Sequence, residues 1–159
     1  MVFHMDEQWN VICYLAELFE RNGIEYQFDA STSVFIHGID FLMDDIDVIV
    51  LKKYKNKVLD LFTEFEKTDI VVYNNFMEYI FTYIQGQKVH LMFIYNKVDC
   101  IEETRDIVYN GIKIHVKMIE FYRKHIKDDH PLIELIDKRI KMYSNLDSAE
   151  RSENGQSFA

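Results

Sequence analysis

Asp44-Asp45-Ile46-Asp47 runs straight into Val48-Ile49-Val50-Leu51, with His37-Gly38 just upstream. On a strand successive side chains alternate sides, so Asp45 and Asp47 should project from one face while Ile46 and Val48 enter the core. Two carboxylates side by side on a rigid strand repel each other unless a cation lies between them. Hard oxygen ligands in that arrangement suit Mg²⁺, above all where a substrate's phosphates complete the shell. An isolated D-x-D also occurs as an acidic turn that happens to precede a strand, so the surroundings decide. Asp44 has the opposite parity and is expected in solvent or in the loop.

The elements that must position this pair follow from periodicity. Trp9, Ile12, Cys13, Leu15, Ala16, Leu18 and Phe19 recur at helical spacing, which predicts an amphipathic helix from about Asp6 to Arg21, stopped by Asn22-Gly23. Ile24 to Asp29 reads as a short strand, and a short helix beginning at Ala30-Ser31 runs to His37. Asp45 to Leu51 is the next strand, and Tyr54 to Phe65 returns to helical period. Ile70 to Tyr73, Phe76 to Ile84 and Lys88 to Tyr95 are rich in β-branched and aromatic residues and read as strands. Gln85-Gly86-Gln87 is a hairpin connection. Asn110-Gly111 is another turn, leading into a strand over Ile112 to Val116. Met118 to His125 and Pro131 to Met142 read as helices, and from Ser144 the residues turn small and polar. The expected fold is α+β, a small mixed sheet flanked by helices. Residues 1–144 would form one domain and 145–159 a polar tail.

Composition narrows the function. The chain has 159 residues, 48% hydrophobic and 28% charged, with a formal net charge of -9. That is long enough to bury a real core as one domain. An acidic surface repels polyanions, so nucleic acid is a disfavoured partner. Cys13 and Cys100 lack metal-ligand spacing, and Cys13 sits on an apolar helical face as a buried thiol. Acidic residues interrupt the first ten positions, unlike a secretory leader. No apolar run is long enough to span a bilayer. The expectation is an intracellular, cytoplasmic protein.

The segment Ala30-Ser31-Thr32-Ser33-Val34-Phe35-Ile36-His37-Gly38-Ile39, followed by Asp44-Asp45-Ile46-Asp47-Val48-Ile49-Val50, resembles the core of the polymerase-β-like nucleotidyltransferase superfamily. It is most similar to the small single-domain bacterial branch of antibiotic nucleotidyltransferases and toxin–antitoxin nucleotidyltransferase-like proteins. The resemblance implies a Gly-Gly or Gly-Ser pair opening a helix toward the nucleotide's phosphates, and a D-x-D pair holding divalent metal on them. It implies in-line nucleotidyl transfer with pyrophosphate leaving, and a third carboxylate from a later strand that completes the metal site. Mg²⁺ (or Mn²⁺) would be the cofactor and an NTP, ATP first among them, the substrate. Basic residues of the late helix, Lys124 among them, would neutralise phosphate.

Two positions depart from that pattern. Ala30 stands where the first glycine is expected, although Ser31 still offers a hydroxyl and an N–H. On the later strand Lys88-Val89-His90-Leu91-Met92, His90 stands where relatives place Asp or Glu. An imidazole binds Zn²⁺ or Mn²⁺ better than Mg²⁺, and it can also act as a base. Glu78, on the neighbouring strand, is a candidate for the missing carboxylate.

Other residues have plainer readings. His37 suits packing and helix ending, with nucleotide contact as its alternative. Asp29 is placed to cap a helix. His4, His115, His125 and His130 show no mutual ligand spacing and read as surface or structural. Lys117, Arg123, Lys124 and Lys127 read first as a solvated face, with phosphate neutralisation as the alternative, and Glu102-Glu103 as a loop. The stripe from Met77 to Tyr83 suits core or interface.

Two functions fit. One is a metal-dependent nucleotidyltransferase acting on a hydroxyl of a small-molecule or protein acceptor, through Asp45, Asp47 and His90, with Ala30, Ser31 and Lys124 at the phosphates. The other is a catalytically degenerate member of the same fold that binds nucleotide or a partner protein. A metal-dependent phosphohydrolase using the same carboxylates is a third. The aromatic hairpin strands suit a homodimer or a partner chain.

Overall fold

The structure, a computed structural model, describes residues 2–96 and 101–156. Cys100 lies outside them. The first helix, α1, runs Val2–Arg21. Val11, Ile12, Leu15, Ala16 and Phe19 are fully buried on one of its faces, the stripe that the helical spacing predicts. Strand β1 (Tyr26–Phe28) leads into α2 (Ala30–Ile36), and β2 (Ile46–Leu51) follows. A 3₁₀ turn at Lys52–Tyr54 and the helix α3 (Lys55–Leu61) precede two short strands, β3 (Glu66–Lys67) and β4 (Val71–Val72). The long hairpin is β5 (Met77–Ile84) with β6 (Gln87–Ile94). A second hairpin, β7 (Thr104–Tyr109) with β8 (Ile112–Lys117), leads to α4 (Ile119–Lys124) and α5 (Ile133–Gln156).

The fold is α+β. Its mixed sheet has the order β3-β5-β6-β2-β1-β8-β7, with β4 also paired to β5. Hairpins give antiparallel neighbours, whereas β2 pairs β6 and β1 pairs β8 in parallel. Both hairpin turns place two successive residues at positive φ: 51° and 78° at Gln85-Gly86, 48° and 79° at Asn110-Gly111. That is the hand that matches strand twist in a two-residue turn, and glycine supplies the second position without a Cβ clash.

The sheet has two differently used faces. Ile46, Val48 and Val50 of β2, with Val89, Leu91 and Phe93 of β6, pack with α1 in the main core. The opposite face carries Ile49, Leu51, Met92 and Ile94, joined by Met77 and Tyr79. A third cluster of Val34, Ile39, Ile119, Ile136 and Tyr143 fastens α2, α4 and α5 together.

Two expectations need correcting, and one element had no expectation: Thr104–Tyr109 is an edge strand. The predicted helix over Tyr54 to Phe65 stops at Leu61, because the chain turns into β3. The segment read as a polar tail continues α5 to Gln156; Ala149, Glu150 and Arg151 carry helical propensity, and residues 144–151 bury no side chain fully. No helix among the described residues is long and apolar enough to cross a membrane.

Candidate active site

Asp47 lies opposite His90 where β2 and β6 pair in parallel. Adjacent in-register residues send their side chains to the same face, and His90 Nδ1 sits 3.0 Å from Asp47 Oδ1. Asp45 occupies the bend just before β2. One ligand atom each from Asp45, Asp47 and His90 lie within 4.8 Å of one another. His90, read as the stand-in for a third carboxylate, thus lies near both acids, and Asp44 is exposed.

Asp47 is buried, with relative exposure of 7%. Burial pushes its carboxyl above the usual range; the hydrogen bond from His90 opposes this, and the charges of Asp45 and Asp29 add to it. A buried carboxylate beside a second one is costly unless positive charge compensates it. His90 packs against two aromatic rings of β5. Phe81 stacks on it with ring centroids 4.7 Å apart, and Tyr79 meets it edge-on at 4.8 Å. Its Nε2 is buried with no hydrogen-bond partner among the described residues, so Nδ1 is the ring's polar atom in the site.

The start of α2 is stitched to this pair. The backbone N–H of Asp29 donates to the Asp47 carbonyl at 3.1 Å, and the Asp47 N–H donates to Thr32 Oγ1 at 2.8 Å. Ala30 is exposed at φ 51°, a left-handed conformation that a Cβ disfavours. This is the position where the sequence pattern anticipates glycine. Asp29 occupies the capping position, but its side chain makes no cap hydrogen bond, so the expected capping role reduces to its backbone. Ser33 Oγ instead donates to the Ala30 carbonyl at 2.6 Å.

A groove of about 460 Å³ opens beside the carboxylates, lined by Ser31, Asp45, Phe41, Tyr122, His130 and Leu132 among others. Ser31 therefore faces the cavity that Asp45 faces. Tyr122 reaches close enough for the Asp47 charge to raise its phenol, in addition to the larger effect of burial. Tyr122 and His130 were not anticipated as site residues: they arrive from α4 and the loop after it, and no local motif marks them. Lys124 is exposed in the last turn of α4 and is not among the residues lining this groove.

Other candidates fall elsewhere. Glu78 shares its strand parity with Ile80 and Ile84, so it emerges on the α1 side of the sheet, away from His90. There it is buried against Lys55 Nζ at 2.5 Å and cannot replace the third acid. His37 is buried, with Nδ1 2.8 Å from Tyr143 Oη and Nε2 2.8 Å from the Lys117 carbonyl; its role is packing. Lys117 is buried rather than part of a solvated face, donating to the Glu102 carbonyl. Arg123 is paired with Asp128 and Asp137.

This architecture is a nucleotidyltransferase-like α+β fold. No family model matches the chain, and a search of curated proteins finds no relative by sequence. Among solved structures it is similar to TM1012 of Thermotoga maritima, assigned as a nucleotidyltransferase, at 17% identity with a TM-score of 0.61, covering 96% of this chain and 92% of that one. The lincosamide antibiotic adenylyltransferase LnuA, solved with lincomycin bound, gives 14% identity and a TM-score of 0.56 over 86% of this chain and 95% of its own. The antibiotic-resistance factor ANT(2'')-Ia gives 10% and 0.56 over 95% and 94%.

Proposed function

We propose that the chain transfers a nucleoside monophosphate from a nucleoside triphosphate, ATP first among them, to a hydroxyl of a small-molecule or protein acceptor. The observation that carries this reading is the convergence of Asp45, Asp47 and His90 within 4.8 Å beside a groove that Ser31 also lines. Two carboxylates and an imidazole fit a divalent cation, and the buried charge of Asp47 calls for one. Asp45 and Asp47 would hold it with His90 Nδ1 as third ligand. A bound cation there neutralises phosphate charge and lowers the pKa of the attacking hydroxyl. The same Nδ1 lone pair would serve a base, so ligation and proton acceptance exclude each other; the clustering favours ligation.

The remaining parts bind and orient. Ser31 presents its hydroxyl and backbone to the phosphates, and Tyr122 and His130 form an aromatic wall for the base. Lys124, exposed one helix end away, would approach the phosphates only by extending over the groove. The acidic chain favours a small-molecule or protein acceptor, in line with the lincosamide antibiotic adenylyltransferase LnuA, solved with lincomycin bound. An exposed set of Val72, Tyr73 and Phe76 would be the surface for a second copy or a partner protein.

The second reading, nucleotide binding without turnover, is favoured by one observation. The Ala30 methyl stands on a positive-φ residue where phosphate would approach backbone. Pyrophosphate release from an NTP panel, with aminoglycosides, lincosamides and a tyrosine peptide as acceptors, separates the two. The transferase reading expects release that Asp45→Asn and Asp47→Asn each lower by about 100-fold or more. Nucleotide-dependent thermal stabilisation with no release under any condition would establish the binding reading instead.

A further inference from the structure

We propose that the Asp45–Asp47–His90 site selects a borderline first-row transition cation over Mg²⁺. The inference rests on the metal site of the preceding reading and names its cation. Mg²⁺ demands oxygen ligands in near-ideal octahedral geometry and sheds water reluctantly. An imidazole nitrogen suits zinc, iron or nickel instead, and affinity rises from Mn²⁺ along the first row. Here the nitrogen is not optional. Parallel register fixes His90 beside Asp47, and the Phe81 and Tyr79 rings pack against the imidazole.

That clamp decides the selectivity. A free imidazole could swing aside and let water complete a Mg²⁺ shell. This ring has Nδ1 3.0 Å from Asp47 Oδ1 and Nε2 buried without a partner among the described residues. Its coordinating atom therefore stays beside Asp47 and within reach of Asp45, and any cation seated there takes one nitrogen with its oxygens. A site of two carboxylates and one fixed imidazole is a poor Mg²⁺ cage and a good one for Zn²⁺ or Fe²⁺.

The test uses metals alone, on the full chain without nucleotide. Titrations of Zn²⁺ and Mg²⁺ followed by calorimetry give an affinity ratio for the native protein and for His90→Asp. The expected result is a ratio that falls about 10-fold or more in the variant, through weaker Zn²⁺ and tighter Mg²⁺ binding. Pulsed electron paramagnetic resonance of bound Mn²⁺, which needs no variant, should show ¹⁴N modulation from a directly ligated imidazole. An unchanged ratio in a folded variant, or bound Mn²⁺ without nitrogen modulation, would overturn the selectivity. Pyrophosphate release is scored separately. Turnover with a nitrogen-free site sinks this inference alone, and a nitrogen-ligated site without turnover sinks only the transferase reading.

Discussion

The backbone N–H of Asp47 donates to the hydroxyl of Thr32 at 2.8 Å, and both residues are buried. This one bond locks the strand that carries the carboxylates to the helix that carries Ser31. The helix that would face phosphate and the carboxylates that would hold metal under the proposed function are thereby tied together, which is what orientation of a substrate requires.

Removing the acceptor should loosen that joint. Thr32→Val keeps the shape but leaves a buried N–H unsatisfied, which costs about 1–3 kcal/mol. Thr32→Ser keeps the hydroxyl and should recover most of the loss. Urea denaturation measures the first effect. Nucleotide titration measures the second, and affinity should fall in Thr32→Val and return in Thr32→Ser.

Ala30 should respond in the opposite sense. A left-handed conformation costs a residue with a Cβ about 1–2 kcal/mol, and glycine's extra freedom in the unfolded chain returns about 0.5–1 of it. Ala30→Gly is expected to be neutral to about 1 kcal/mol more stable by denaturant melts. It should also bind nucleoside triphosphate more tightly, since the methyl no longer holds phosphate off the backbone. Unchanged or weaker nucleotide binding would show that phosphate does not approach there.

His37 sets an acid limit on the fold. Burial lowers its pKa to about 4, with the charges of Arg105 and Arg139 acting in the same direction and the hydrogen bond to the Lys117 carbonyl against it. The unfolded chain takes up this proton near the ordinary histidine value of 6.5, well before the folded one does. The contribution is therefore complete above pH 6.5 and is lost as pH falls toward 4, by ~3 kcal/mol in all. Denaturant melts across that window should show the loss, and His37→Gln, which has no titrating ring, should flatten it.

The sequence carried the carboxylate pair and the two hairpin turns, because strand parity and turn chemistry are local rules; His90 is singled out by the resemblance, and its parallel register with Asp47 is a long-range pairing that no local rule gives. It also carried the evidence against Glu78: that residue alternates in phase with Ile80 and Ile84, and the period-2 rule was there to be applied. Other parts had no local signature. β7 is an edge strand whose positions alternate between exposed and half-buried, so its Thr-Arg-Asp start carries little apolar pattern. Tyr122 and His130 reach the groove only through the path of the chain after β8. The continuation of α5 past Tyr143 follows helical propensity, where burial gives no cue.

The two-residue turn at Gln85-Gly86 has a reach beyond its own hairpin. Phe81 and His90 lie at equal distances from it on opposite strands and are paired across the ladder. Loop length therefore does the counting that brings an aromatic ring over the imidazole. One residue inserted at that corner would slide the two strands past each other and bring Ile80 or Thr82, from the opposite face, to the rung where the ring now sits. The hairpin tip is thus the spot where a surface insertion, harmless in most loops, would strip the ring from the imidazole four residues away.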